Sequence, residues 1–159
     1  YQMTEASWQR EIAQKLCDMG VDAIIGGHPH VIEPVDVFTS EDGTHKTFCA
    51  FSLGNQLSNQ RREMMRLKTG NTEDGLFIDL EITRNKKGDV SLTGVKYIPT
   101  WVYKNASGPT YSIVPVDDPS TVEEKTGIKG IQAQAQASYD RTYKIIGDGA
   151  NKVSETYGF

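Results

Sequence analysis

The chain has 159 residues, of which 37% are hydrophobic and 24% are charged, and its formal net charge is -4. This length suits one domain with its own hydrophobic core and is short for two. Binding to nucleic acid requires clustered lysine and arginine, and an acidic chain without a basic stripe does not offer them. The sequence therefore predicts one globular domain that does not bind nucleic acid.

The composition also predicts no membrane span and no signal peptide within these residues. A spanning helix needs a run of about 18 or more apolar residues, and no such run occurs. Two cysteines, Cys17 and Cys49, fall in apolar surroundings. We expect both to be buried free thiols, although their spacing alone leaves a disulfide open.

The first third of the chain predicts a helix, a strand and a hairpin. Residues 4–19 place four apolar side chains on one helical face, and residues 21–25 form a short apolar run typical of a strand buried on both faces. Strands at 35–38 and 47–51 flank a turn at 41–44, which predicts a hairpin. A helix followed directly by a buried strand indicates an α/β sheet. The four apolar residues of the helix are Trp8, Ile12, Leu16 and Met19.

The remainder predicts a polar loop, a second hairpin and a terminal helix. Residues 55–74 are polar and predict a long loop with one helical turn. Alternating apolar residues over 76–82 predict a strand, which pairs with a second strand over 90–98 and continues as an extended segment over 100–103. Residues 104–119 are rich in Gly, Pro and Ser and predict irregular structure. A last helix is expected over 129–146.

The strongest chemical signal is the sequence Gly-Gly-His-Pro-His at residues 26–30. Pro29 disfavours helix at His28, so we expect an extended segment in which His28 and His30 point to the same side. They follow the carboxyl end of a predicted strand, where open α/β sheets bind their ligands. Paired imidazoles suit Zn, Mn or Fe, and two ions about 3.5–4 Å apart would let each histidine take a different metal.

Two interpretations of these histidines stay open. They could be metal ligands, or surface turn residues in a glycine-rich loop, because His-x-His is common by chance and no third ligand is evident. Asp22 and Glu33 flank the motif and could hydrogen-bond to the ligating histidines, although Asp22 fits better as a turn residue between the helix and the strand. His45 lies in the predicted hairpin turn, where we expect it to be solvated.

A second candidate segment is Ser-Leu-Gly-Asn at residues 52–55, which ends a predicted strand. Its backbone N–H groups could line a phosphate or carboxylate pocket, or the segment could be an ordinary strand exit. Ser52 is not expected to be a covalent nucleophile, because the Gly-x-Ser-x-Gly setting is absent. Nucleotide binding through a P-loop or a Gly-x-Gly-x-x-Gly motif has no support either.

Three segments together resemble the bacterial capsule synthesis CapA family, which is associated with poly-γ-glutamate and whose fold is similar to calcineurin-like metallophosphoesterases. The resemblance is good over residues 5–103 and poor over 104–159. The three segments are Gly-Val-Asp-Ala-Ile-Ile-Gly-Gly-His-Pro-His-Val at 20–31, Phe-Ser-Leu-Gly-Asn at 51–55 and Tyr-Ile-Pro-Thr-Trp-Val at 97–102.

The resemblance implies an α/β fold with a partial metallophosphoesterase-like sheet, flanking helices and antiparallel hairpins. Residues 1–103 would be the C-terminal half of that domain, and residues 104–159 an irregular segment and a helix packed on the same domain.

The same resemblance implies a metal site. In metallophosphoesterases a Gly-His-x-His element ligates a dinuclear centre, so His28 and His30 would be catalytic ligands of divalent Mn, Fe or Zn. Ser52 and Asn55 would line the substrate pocket. The implied parent protein is a metal-dependent hydrolase that acts on a phosphoryl substrate or handles poly-γ-glutamate.

The family pattern also has an earlier half that this sequence does not contain. That half supplies an aspartate, an Asn/Glu, an Asn-His pair and a His-Trp-Gly segment. We therefore expect the chain to be the C-terminal portion of a longer parent, inactive alone and too poor in ligands to keep its metal ions. Its expected partner is the missing N-terminal half, and a homodimer is another way to cover exposed sheet edges.

Two further expectations concern the parent. The resemblance implies a protein that is extracellular or attached to the outer face of the membrane by an N-terminal segment. The alternative to a hydrolase is a non-catalytic module that binds or assembles an anionic polymer at the cell surface. In that case the basic residues of segment 61–68 would matter more than the histidines.

Overall fold

The computed structural model describes residues 1–108 and 110–158. Its first sheet contains β1 (Ala23–Ile25), β2 (Val35–Thr39) and β3 (Lys46–Ala50), in the order β1-β3-β2. Strand β1 runs parallel to β3, while β2 and β3 form the predicted antiparallel hairpin.

The second sheet is antiparallel, with the order β4-β5-β6. It contains β4 (Asp74–Arg84), β5 (Val90–Lys104) and β6 (Tyr111–Pro115). The predicted hairpin of the first two strands is confirmed, and β5 continues through Pro99 as one strand. Strand β6 lies in the segment predicted to be irregular, and it pairs with the last part of β5.

Four α-helices complete the part of the chain that the structure describes, so the predicted α/β class is confirmed. They are α1 (Ser7–Asp18), α2 (Arg62–Met65), α3 (Val122–Thr126) and α4 (Gln132–Tyr157). Short 3-10 turns lie at Asn71–Glu73 and Pro119–Thr121. Among the described helices, none is long and apolar enough to cross a membrane.

The two sheets are joined by the segment that follows β3. Leu53 forms an antiparallel bridge with Ile32, and Gly54 forms one with Gly75 of β4. A β-carbon on Gly54 would lie 2.5 Å from the Asp74 carbonyl oxygen, and Gly54 has a φ of 70°. Glycine is therefore required where the two backbones come closest.

Helix α4 packs across both sheets and completes the core. Its residues Ile146 and Val153 are fully buried in a cluster with residues of β2, β3, β4 and β5. Nearer its start, Ala135 packs in a second cluster with Trp101. The helix ends at Tyr157, well beyond the predicted end at residue 146.

The predicted apolar face of α1 is not part of the core. Trp8 is 61% exposed, Ile12 48% and Met19 79%, and the buried residues of the helix are Ala13 and Cys17. The helix begins after an Ala6 cap, later than predicted.

Strand β1 also differs from its prediction. It is an edge strand of the described sheet, with Ile25 48% exposed, so the expectation of burial on both faces is wrong. Hydrophobic spacing identifies which residues need cover but does not say what supplies it. Cys17 and Cys49 are buried free thiols, as predicted.

Candidate functional site

The candidate site lies at the carboxyl ends of two neighbouring strands. The His-Pro-His loop follows β1, and the Ser-Leu-Gly-Asn segment follows β3. Because these strands are parallel and adjacent, their carboxyl ends share one edge of the sheet. The fold thereby brings His30 and Asn55 together, with 3.0 Å between His30 Nδ1 and Asn55 Oδ1.

The backbone at both histidines is strained. His28 has a φ of 103° and His30 a φ of 61°, so the predicted extended conformation is wrong. The chain must reverse at once, because Ile32 pairs with Leu53 and the Glu33 N–H donates to the Ser52 carbonyl. Such conformations cost about 1–3 kcal/mol each and cluster at functional sites. Both histidine side chains are exposed.

This strain gives a test of the loop geometry. We expect His28→Gly to be more stable to urea than His28→Ala by about 1 kcal/mol, because glycine adopts positive φ without a steric penalty. Both variants lose the imidazole, so the comparison isolates the backbone. The matched pair at His45, which has no positive φ, should show the opposite order. Equal stability of the two His28 variants would contradict the strained loop.

The His30 imidazole has hydrogen-bond partners on both ring nitrogens. Besides the Asn55 contact, His30 Nε2 lies 3.4 Å from the amide nitrogen of Gln60. The Gln60 carbonyl oxygen accepts a hydrogen bond of 3.2 Å from the Tyr1 hydroxyl. The Tyr1 ring also lies near the His30 ring, with 6.2 Å between their centroids. These contacts hold the exposed imidazole in one place.

The two residues expected in a substrate pocket, Ser52 and Asn55, are buried beneath the loop. Ser52 is fully buried, and its hydroxyl oxygen accepts a 3.3 Å hydrogen bond from the Gly54 N–H. Asn55 is 6% exposed, and its amide nitrogen donates to the carbonyls of His30 and Thr72. Their role in binding substrate stays a prediction.

The flanking acidic residues lie in different environments. Glu33 is 3% exposed and accepts a 3.4 Å hydrogen bond from Gln9, and burial raises the pKa of its carboxyl. The Asp22 side chain is 65% exposed. His45 was expected to be solvated, but its Nε2 lies 3.0 Å from the Val21 carbonyl and its side chain is partly buried. The hairpin turn folds back toward the start of β1, which sequence spacing does not reveal.

The donor set for a metal ion is incomplete within the described chain. Imidazole nitrogen is a suitable ligand for Zn, Mn or Fe. Across residues 1–108 and 110–158, however, no group of three or more His, Cys, Asp or Glu side chains could hold a metal ion. His28 and His30 thus fit the ligand chemistry but do not form a site by themselves.

The basic segment beside the site is tied to a buried carboxylate. Glu73 is fully buried, and its carboxylate accepts hydrogen bonds from Arg61 at 3.2 Å and from Arg62 Nε at 3.0 Å. The Trp101 indole N–H points at the same carboxylate from 3.5 Å. Glu73 is not recognisable from the sequence, because nothing in its local pattern distinguishes it from a solvated loop residue.

Residues 1–60, which include both the His-Pro-His loop and the Ser-Leu-Gly-Asn segment, match the family described as "Bacterial capsule synthesis protein PGA_cap". This match and the one described next confirm the predicted resemblance to the bacterial capsule synthesis CapA family over the first part of the chain.

A particular relative is PGA biosynthesis protein CapA of Bacillus subtilis (strain 168). It is 30% identical over 87 residues, which cover 55% of this chain and 20% of that protein. The matched segment thus spans about a fifth of the relative's length. No solved structure matches this chain significantly.

Proposed function

We propose that this chain is the part of a capsule biosynthesis protein that supplies His28 and His30 to a divalent metal centre. The observation that carries the proposal is the strained, exposed His-Pro-His loop at the carboxyl edge of two parallel strands. The printed name of the Bacillus subtilis relative supports a role in the biosynthesis of PGA, here poly-γ-glutamate. The parent would be a metal-dependent hydrolase of the phosphoesterase type that works at the outer face of the cell.

The remaining ligands would come from another part of the parent. Catalytic zinc sites keep three protein ligands, and dinuclear sites need more. Within the described residues only the two histidines are suited to the role, so we derive no reaction step for this chain. A bound divalent ion would supply Lewis-acid stabilisation of charge at a phosphoryl or related centre.

An uncovered apolar face lies beside this loop and supports a missing partner. Trp8 and Ile12 are exposed on α1, and β1 has an unpaired edge in the described sheet with Ile25 exposed. Exposed apolar surface at an open strand edge marks a site for a further strand. We propose that another segment of the parent covers it, since four fifths of the relative lies outside the match.

Metal content tests the proposal directly. The 159-residue chain and the same chain extended by the residues encoded before Tyr1 would be purified and analysed for metals. We expect about two metal ions in the extended chain and none in the shorter one. His28→Ala and His30→Ala should each abolish or strongly reduce the metal content, whereas the His45→Ala control should not.

Two other results have a clear meaning. A metal-free extended chain would overturn the metal-centre proposal and leave the histidines with a structural role. Light scattering on both chains tests the partner: a dimer of the short chain that persists on extension would assign the apolar face to a second copy instead.

A module that binds an anionic polymer without catalysis is the second candidate. Its basic surface is reduced in this structure, because Arg61 and Arg62 are bound to Glu73. Arg66 and Lys68 stay exposed nearby. The hydrolase-type metal site therefore has more structural support than polymer binding.

A further inference from the structure

Asn55 is held rigidly beneath the histidine loop. Its backbone N–H donates a 3.0 Å hydrogen bond to the Asp74 carbonyl, next to the Gly54–Gly75 bridge that joins the two sheets. Its side chain is 6% exposed. A buried amide on a fixed backbone has little freedom to rotate, so its orientation is set by its partners.

Those partners define which end of the amide faces His30. The Asn55 side-chain nitrogen lies 2.9 Å from the Thr72 carbonyl oxygen and 3.1 Å from the His30 carbonyl oxygen. Carbonyl oxygens only accept hydrogen bonds, so both must face the NH₂ group. The amide oxygen is then the atom that lies 3.0 Å from His30 Nδ1.

This orientation fixes the proton on the imidazole. An amide oxygen is an acceptor only, so His30 Nδ1 must carry the hydrogen and donate it. The lone pair of the neutral ring is then on Nε2. The contact at Nε2 agrees with this assignment. The Gln60 side-chain oxygen accepts a hydrogen bond from the Tyr1 hydroxyl, so the Gln60 NH₂ group is the end that faces His30 Nε2, at 3.4 Å. Placing the proton on Nε2 instead would set two acceptors against each other at Asn55.

We propose that Asn55 is a positioning residue that keeps His30 in the Nδ1–H tautomer, so that Nε2 is the nitrogen presented to a ligand. Its relevance to a metal ion depends on the proposed function, but the tautomer itself does not. Metal-binding histidines commonly donate their second ring N–H to a partner that fixes the tautomer and the ring orientation. In this chain the partner of the second ring nitrogen is the buried Asn55 amide. Two backbone carbonyls orient that amide so that its oxygen faces His30 Nδ1.

The same protein contains a reference with the opposite tautomer. His45 Nε2 lies 3.0 Å from the Val21 carbonyl, an acceptor, so His45 must carry its proton on Nε2. In one sample, His30 and His45 should therefore carry their ring protons on opposite nitrogens.

Long-range proton–nitrogen NMR of the metal-free chain with ¹⁵N-labelled histidine tests the proposal. Spectra would be recorded at about pH 8.5, well above the ordinary histidine pKa of about 6.5. We expect His30 to show a protonated Nδ1 and His45 a protonated Nε2. A wild-type His30 that is protonated on Nε2, or that averages between the tautomers, overturns the proposal without any variant.

Two variants at Asn55 test the role of the amide. Asn55→Leu removes the acceptor, and His30 should then move towards the Nε2–H tautomer that free histidine favours. Asn55→Asp keeps an oxygen acceptor beside Nδ1 and should retain the Nδ1–H tautomer, while its second oxygen faces the Thr72 and His30 carbonyls and should lower the stability of the fold. Gln60→Leu is the matched control on the other side of the ring and should leave His30 protonated on Nδ1. An unchanged His30 in a folded Asn55→Leu chain also overturns the proposal.

Zinc affinity separates this inference from the proposed function. In the extended chain, Asn55→Leu should weaken Zn²⁺ binding by about 10–100-fold, as the loss of such partners does in other metal sites. An extended chain that binds no zinc while His30 keeps its Nδ1–H tautomer would reject the metal centre alone. Unchanged zinc affinity in Asn55→Leu would reject the positioning role.

Discussion

Replacing Arg141 by methionine should lower the free energy of unfolding by about 3–5 kcal/mol, because it leaves a buried carboxylate unpaired. The Asp74 side chain is 2% exposed and receives two 2.7 Å hydrogen bonds from the Arg141 guanidinium. Ser138 adds a third at 2.6 Å. Urea denaturation followed by circular dichroism measures the loss.

The control for this prediction separates charge from packing. Adding Asp74→Asn to Arg141→Met removes the stranded charge, so the double variant should recover part of the lost stability. Lys144→Met lies on the same helix at an exposed position and should change stability by less than about 0.5 kcal/mol. If Arg141→Met costs no more than Lys144→Met, the ion pair does not hold α4 in place.

This ion pair also bears on the candidate site. The Asp74 backbone carbonyl accepts the hydrogen bond from the Asn55 N–H, so the residue that anchors α4 also supports the amide beneath His30. Helix α4 is thereby connected to the histidine loop through Asp74 and Asn55. Weakening the ion pair should loosen the site as well as the helix.

The sequence predicted the elements whose signals are local. The two hairpins, the first helix and the loop with one helical turn follow from alternation, helical spacing and turn residues over short windows. Burial was predicted less well. Trp8 and Ile12 have core-like spacing but are exposed, because helical spacing of apolar residues does not determine which other element packs against them.

Elements that depend on distant contacts were missed. Strand β6 lies in a segment rich in Gly, Pro and Ser, and it forms because β5 offers an edge to pair with. The buried carboxylates of Glu73 and Asp74 sit in a polar stretch that predicts a solvated loop. Arg141, which pairs with Asp74, lies 67 positions further along the chain, so no local pattern could reveal the contact.

The candidate site was predicted in its residues but not in its geometry. The sequence singled out His28, His30 and Asn55, and the structure brings His30 and Asn55 into contact. It also shows positive φ at both histidines where an extended chain was expected. That conformation follows from the pairing of Ile32 with Leu53, which is a tertiary constraint invisible in the motif itself.

The length of α4 depends on a glycine that sequence patterns treat as a helix breaker. A β-carbon on Gly149 would lie 1.7 Å from the Val35 carbonyl oxygen of β2, so only glycine lets the helix lie this close to the sheet. Gly149→Ala should therefore destabilise the chain by about 2–3 kcal/mol, even though alanine favours a helix by about 1 kcal/mol over glycine. Thermal and urea unfolding would measure the change.

Gly147 provides the matched control, two residues earlier in the same helix. A β-carbon there meets nothing within 4 Å, so Gly147→Ala should raise stability by about 0.5–1 kcal/mol through helix propensity alone. The two alanine variants should thus move in opposite directions. A gain in both would mean that α4 does not lie against β2 at Val35, and a loss in both would mean that the helix needs flexibility at this point. Changes in stability of opposite sign would leave close packing against β2 as the reason why the helix continues through both glycines.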